Sequence, residues 1–203
     1  MTIIIIVITS LVSIMAFNRY DLMEKLQFNA SRIYHQKEYY RLITHGFVHA
    51  NWEHLIVNMI VLLSFGKAIE MYFQYEFGKM ANAYFLILYF GGMIISNAYA
   101  LFKHRNDYYY NAVGASGAVS AVLFAAIFFD PWNKIYFFGI LPMPGIIFAI
   151  LYLIYSWYMS RKQSDNIAHD AHLLGALFGF LFPVLLNFRL LEQFLDKLFM
   201  LIR

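Results

Sequence analysis

Three groups of polar residues stand inside otherwise apolar stretches of this chain, and their types suit acyl transfer. The first is Gly114-Ala115-Ser116-Gly117, where a serine heads a run with small residues at Gly117, Ala121 and Ala125. Small residues at every fourth position leave a helix one bare face, and in lipid such a face lets a neighbouring helix approach closely. The second group is Ala171-His172-Leu173-Leu174-Gly175, continued to Gly179. Ala171, Gly175 and Gly179 form a matching stripe, with His172 beside it. A neutral imidazole can take a serine proton and return it to a leaving amine. If the two bare faces pack together, Ser116 as nucleophile and His172 as base and later acid meet. Taken singly, each residue has an ordinary reading: a serine bonding the carbonyl one turn back, and a histidine bonding a backbone carbonyl. Taken together, the two motifs explain each other.

The third group is Thr44-His45, His49, His54 and Asn58. His54 and Asn58 are four apart and share a helical face. Peptide hydrolysis develops negative charge on the carbonyl oxygen, and each preorganised donor there is worth about 3 to 4 kcal/mol. His54 and Asn58, with the Ser116 N–H, suit an oxyanion hole. The rival reading of His45, His49 and His54 is a zinc site. The glutamate of HExxH is missing and no acidic cluster accompanies them, so neither a metal nor another cofactor is expected. Arg41 and Glu70 are candidates for tying the first loop to helix ends, although Glu70 could equally be a solvated charge. The absence of cysteine excludes disulfides, thiolate metal sites and a cysteine nucleophile.

The elements that must position these groups follow from composition. Of 203 residues, 62% are apolar and 13% charged, against about 25% charged in soluble domains; mean hydropathy is +0.59. A soluble core of this size cannot hide so much apolar surface, whereas lipid need not have it hidden. About 20 apolar residues of helix cross a bilayer. Six stretches approach that length, near 2–17, 52–73, 82–102, 114–129, 135–158 and 170–187. Their unbroken runs predict an all-α membrane protein rather than a barrel, whose strands alternate. Residues 2–17 read as a retained span, lacking the basic start and small-residue cleavage site of a signal peptide. The segment from Asn18 to Asn51, with Arg19, Lys25, Arg32, Lys37 and Arg41 among tyrosines, is expected in the membrane interface. Pro142, Pro144 and Gly145 interrupt the start of the fifth stretch, and Arg161 to Asp165 form a charged loop. Residues 188–203 read as a short amphipathic tail behind one membrane domain, 1–187. There is no internal repeat of the transporter kind. The net charge of +3 is scattered, so no nucleic-acid partner is indicated; the oligomeric state is not legible.

The set of motifs resembles the rhomboid family of intramembrane serine proteases. The resemblance is carried by Gly114-Ala-Ser-Gly117, by Ala-His-x-x-Gly-x-x-x-Gly at 171–179, and by His49-x4-His54-x3-Asn58. Gly66-x3-Glu70 also matches, and Tyr40-Arg41 stands where the family has Trp-Arg. It covers roughly residues 1 to 187. It implies a rhomboid-like bundle of six transmembrane helices that cleaves transmembrane protein substrates within the lipid bilayer through a Ser116–His172 dyad. It also implies an oxyanion hole lined by His54 and Asn58, loop support from His49, and close helix packing at Gly175 and Gly179. Arg41, Glu70, Gly114 and Gly117 stand as further support residues. The implied topology puts the N-terminus in the cytoplasm and opens the site to the outer side, and a bacterial cytoplasmic membrane is expected. The Lys/Arg counts run against that orientation; the topology implied by the resemblance is preferred. Some relatives carry a tyrosine four residues after the serine, stacked on the histidine; here the position is Ser120, so the imidazole must be held otherwise. Asp170, about 100° round the helix from Ala171, is not expected to complete a triad. The alternative is a non-proteolytic rhomboid-like chaperone or binder of transmembrane helices, although such relatives usually lose the serine or histidine. A small transporter would want an ionisable path across the membrane, which the polar clustering does not offer.

Overall fold

The computed structural model describes residues 1–137, 140–162 and 168–199. It is built almost wholly of helices: α1 (Thr2–Phe17), α2 (Tyr20–Leu26), α3 (Ala30–Gln36), α4 (Arg41–Thr44), α5 (Trp52–Phe77), α6 (Ala81–Ser96), α7 (Ala98–Lys103), α8 (Ser116–Phe129), α9 (Gly145–Lys162), α10 (His169–Leu186) and α11 (Arg189–Phe199). Two small antiparallel pairs join them: β1 (Phe28–Asn29) with β2 (Asn111–Ala112), and β3 (Lys134–Phe137) with β4 (Leu141–Pro144).

The helices are inside-out relative to those of a water-soluble domain. On α1 the inward residues are Thr2, Thr9, Ser13 and Ala16 with Ile5, while Ile4 and Leu11 are 56% and 59% exposed. Only an apolar solvent makes that arrangement stable, because it leaves bare hydrocarbon outside and lets small polar residues pack between helices. Among the described residues, two continuous helical stretches are long and apolar enough to cross a membrane: Trp52–Lys103, which holds α5 to α7, and His169–Leu186. Thr2–Phe17 and Ser116–Phe129 are shorter apolar helices.

α8 is the axis of the bundle. Every residue from Gly117 to Phe129 is buried. It is walled by α5, α6 and α10, with α9 touching one side. The contact with α10 is made backbone to backbone. A Cβ added at Gly175 would lie 2.9 Å from the carbonyl carbon of Gly117, and one added at Gly179 would lie 2.5 Å from that of Ala121. The expected small-residue stripes therefore face each other over two helical turns.

The fifth apolar stretch differs from expectation. Lys134–Phe137 and Leu141–Pro144 pair as β3 and β4, and the helix begins only at Gly145. Pro142 and Pro144 lack the N–H that a helix interior requires, so the apolar run before them cannot join α9. The sequence segment 18–51 folds into short helices and β1, and the tail into α11. Leu190 and Phe194 of α11 are buried, and Phe194 stacks on Phe128 at 5.0 Å between ring centroids. Lys197 Nζ reaches the Phe129 carbonyl at the end of α8 (2.8 Å), satisfying one of its last carbonyls. Of the expected charged loop, residues 163–165 lie outside the described residues, as do 200–203 of the tail.

Because the α8–α10 contact leaves no room for a side chain, Gly179→Val should lower stability by about 3 kcal/mol. Thermal unfolding in detergent followed by circular dichroism checks this, with Leu185→Val on the exposed face as the unaffected control. A midpoint for Gly179→Val equal to that of the control would show that the two backbones do not touch.

Candidate active site

Ser116 is the first residue of α8, preceded by Gly114 at φ +110°. That backbone region is open to glycine and strained for other residues. It turns the chain sharply into the helix, and the Gly114 N–H is held by the His45 carbonyl at 2.9 Å. The first hydrogen bond from within α8 is that of Val119 N–H to Ala115 O. The amides of Ser116, Gly117 and Ala118 thus have no intrahelical partner and can bind negative charge.

His172 lies in the first turn of α10. Ala171, its chain neighbour, presents its carbonyl to Gly117, 3.5 Å from where a Cβ there would lie. Ser116 and His172 are therefore next neighbours of two residues that touch, and both are half-buried rather than sealed off. The His172 ring lies against Tyr152 of α9 at 6.1 Å between centroids and 27° between planes, and edge-on to His169 at 5.8 Å. Tyr152 Oη is 2.7 Å from Ser120 Oγ on α8. Asp170 accepts a hydrogen bond from Ser160 of α9, which turns it away from a triad role.

His54 and Asn58 project from the first turns of α5, whose N-cap Asn51 accepts the His54 N–H at 2.8 Å. The His54 ring packs on Gly114: a Cβ there would lie 2.5 Å from Cε1 and 2.8 Å from Nε2. This places His54 two residues before the serine, on the turn that presents it. Asn58 is buried, and its amide donates to the His54 carbonyl at 2.9 Å, so it is bonded along its own helix.

The first loop is locked to the serine turn through two buried histidines. Ser13 Oγ donates to the Phe47 carbonyl (2.9 Å) and lies 2.9 Å from His49 Nδ1. With that hydroxyl proton committed, His49 donates through Nδ1 and accepts the Ala115 N–H at Nε2 (3.4 Å). Both ring nitrogens are thus used by a neutral imidazole. Burial, then the neighbouring His54 and His45, lower the His49 pKa to about 3. His45, whose Nε2 faces Asn97 Nδ2 at 3.3 Å, is lowered by burial to about 4. Among the described residues no group of three histidines or acidic residues could hold a metal.

Arg41 and Glu70 both tie elements together, but not to each other. Arg41 is 1% exposed and clamps the first loop, donating to Glu38 Oε2 (2.5 Å) and to the carbonyls of Glu24 (2.7 Å) and Gln27 (2.8 Å). Glu70, about five turns along α5, pairs with Lys67 (2.9 Å), the Thr2 N–H (2.7 Å) and the Met1 amino group (2.5 Å). Sequence reasoning missed Tyr152 altogether. The available signal was that Tyr152, Ser156 and Ser160 recur every four residues on an otherwise apolar and aromatic helix.

Fold and site together define an integral membrane protein of helical build with a serine and a histidine at a close helix crossing. A family model, Rhomboid domain, matches residues 36–188, and the chain belongs to the rhomboid family. It is 29% identical over 150 residues to RHOMBOID-like protein 12, mitochondrial, of Arabidopsis thaliana, covering 66% of this chain and 43% of that protein. It is 25% identical over 169 residues to Rhomboid-related protein 1 of Caenorhabditis elegans, covering 79% and 44%. It is 30% identical over 145 residues to Rhomboid protease GluP of Bacillus subtilis (strain 168), covering 71% and 26%. The aligned segment thus spans less than half of each of these relatives.

The two neutral histidines set a pH dependence. Unfolded, each binds a proton below its ordinary pKa of about 6.5; folded, it does not until about pH 3 or 4. Acid therefore favours the unfolded chain. Stability should be flat above pH 6.5 and fall below it, by about 1.4 kcal/mol per pH unit for each histidine. His49→Gln should flatten that slope, and urea titrations between pH 4 and 7 in detergent read it. An unchanged slope in the variant would contradict the assignment of His49 as neutral.

Proposed function

We propose that the chain is an intramembrane serine endopeptidase that hydrolyses peptide bonds in or near the transmembrane segments of membrane proteins. The observation that supports this reading is the close contact of Gly117 with Ala171 and Gly175, since Gly117 and Ala171 are the chain neighbours of Ser116 and His172. Membership of a family that includes a named protease supports it.

In the proposed fold six spans, α1, α5, α6 with α7, α8, α9 and α10, surround a site that opens where α8 begins. The domain covers residues 1–187, with α11 as a surface helix. Substrate enters as a helix and unwinds locally, because a carbonyl hydrogen-bonded within a helix is poorly open to attack. Ser116 Oγ attacks the carbonyl carbon while His172 takes its proton. The oxyanion is stabilised by the Ser116 N–H with His54, and by Asn58 once its amide turns from the His54 carbonyl. His172 returns the proton to the leaving amine. Water, deprotonated by His172, then hydrolyses the acyl-enzyme and frees Ser116. No cofactor enters. His49, Gly114 and Arg41 hold the loop and turn that frame the site. The named relatives include one mitochondrial and one bacterial protein, and the reading commits to an integral membrane protein acting in the bilayer.

In liposomes, Ser116→Ala should lower cleavage of a single-span substrate by at least about 10³-fold. A fluorophosphonate should label Ser116 in the wild type and leave His172→Ala unlabelled. Equal cleavage by wild type and Ser116→Ala would remove the dyad, and absence of both cleavage and labelling in the wild type would favour a non-proteolytic binder of transmembrane helices.

A further inference from the structure

We propose that α11 is an in-plane membrane-docking helix, seated in the bilayer surface at the end of the bundle opposite Ser116. The match to the Rhomboid domain ends at residue 188, and α11 begins at Arg189. Its place follows from the helix before it. α10 runs 18 residues from His169 to Leu186, about 27 Å at 1.5 Å per residue, so its two ends reach opposite faces of a hydrocarbon layer about 30 Å thick. His172 is near the first end, and α11 starts beyond the second after only Asn187 and Phe188. α8 gives the same placement independently. Ser116 heads that helix, whereas Lys197 of α11 reaches the Phe129 carbonyl at its far end.

The apolar arc of α11 is only partly covered by the bundle. At about 100° per residue, Leu190, Phe194, Leu198, Leu191, Leu195 and Phe199 follow one another across about half of the circumference. Leu190 and Phe194 are buried, and Phe194 stacks on Phe128 and meets Phe180 edge-on at 5.2 Å. At the other edge of the arc, Leu195 and Phe199 are 40% and 51% exposed. The helix cannot roll to hide them. Lys197 is held at the end of α8, and Trp132 Nε1 donates to the carbonyls of Lys197 (3.1 Å) and Leu198 (3.3 Å). Arg189, Glu192, Gln193 and Asp196 fill the remaining arc and are exposed.

What covers Leu195 and Phe199 is the bilayer. Exposed Leu177, Leu181 and Leu185 recur every four residues down α10, and Phe188 is exposed as well, so the lipid-facing surface continues to the start of α11. A stable protein contact takes about 800 Å² from each partner, and the uncovered parts of Phe188, Leu195 and Phe199 fall far short of that. A helix lying in the headgroup boundary, apolar arc in lipid and polar arc in water, satisfies both surfaces. Arg189 and Lys197 balance Glu192 and Asp196, so the docking draws on apolar burial and not on anionic lipid.

The chain has no cysteine, so single nitroxide labels can be placed through Leu195→Cys, Phe199→Cys, Gln193→Cys and Asp196→Cys in the full protein. The vesicles are phosphatidylcholine with and without phosphatidylglycerol, and thermal unfolding checks each variant. Collisions with oxygen, which concentrates in lipid, should exceed those with a water-soluble nickel complex several-fold at the two apolar positions. The order should reverse at the two polar positions, and both lipid mixtures should give one pattern. Nickel access at the apolar positions equal to that at the polar ones would put the helix in water and overturn the proposal. Exclusion of both reagents from the apolar positions would reveal a protein partner and do the same. A lipid pattern that appears only with phosphatidylglycerol would overturn the apolar basis of docking. Should a label at one apolar position unfold the protein, the other decides. None of these readouts depends on cleavage, so they stand whatever becomes of the dyad.

Discussion

The closeness of α8 and α10 is the constraint on which the rest depends. In lipid no hydrophobic effect drives helices together, so contact must be won through packing and hydrogen bonds. Glycines at 175 and 179 let the backbones themselves meet at Gly117 and Ala121. At that separation the first turns of the two helices, which carry Ser116 and His172, stand side by side. The same stripe excludes larger side chains, so the crossing depends on glycine and alanine at these positions.

A second consequence concerns polarity. A site that handles a proton and an oxyanion needs polar groups, and a bilayer penalises each one that lacks a partner. The structure answers by linking them. His49 joins α1, through Ser13, to the serine turn at Ala115, while His45 connects Asn97 at the end of α6 with Gly114 through its carbonyl. Burial keeps these histidines neutral, and on His49 one ring nitrogen serves as donor and the other as acceptor. Arg41, the one fully buried cation among the described residues, is satisfied by Glu38 and two carbonyls rather than by a distant helix. The first loop is thus a rigid wall rather than a linker.

How much of this was legible in the sequence depends on range. Patterns that repeat within one helix were legible: the stripes at 117, 121 and 125 and at 171, 175 and 179, the pairing of His54 with Asn58 on one face, and the amphipathic period of 189–199. Events between elements were not. Arg41 and Glu70 read as possible partners because both are charges near helix ends, yet they serve different joints. The run 134–144 read as part of a span because apolar strands and apolar helices look alike over so few residues, and only its two prolines argued otherwise. Tyr152 was hard to see because α9 carries many aromatic residues, and only its four-residue spacing from Ser156 and Ser160 sets it apart.

That last residue lies on the helix that packs against the outside of this core. α8, α5, α6 and α10 are locked by close contacts and buried networks, and α9 meets α8 and α10 through two hydroxyl bonds, aromatic edges and an apolar seam in which Ala149 is buried beside Leu123, Phe124, Ile127 and Ala176. Hydroxyl bonds between helices in lipid are worth about 1 kcal/mol or less each, since the separated groups find other partners. The position of α9 against α8 and α10 thus sets where the Tyr152 ring stands relative to that of His172.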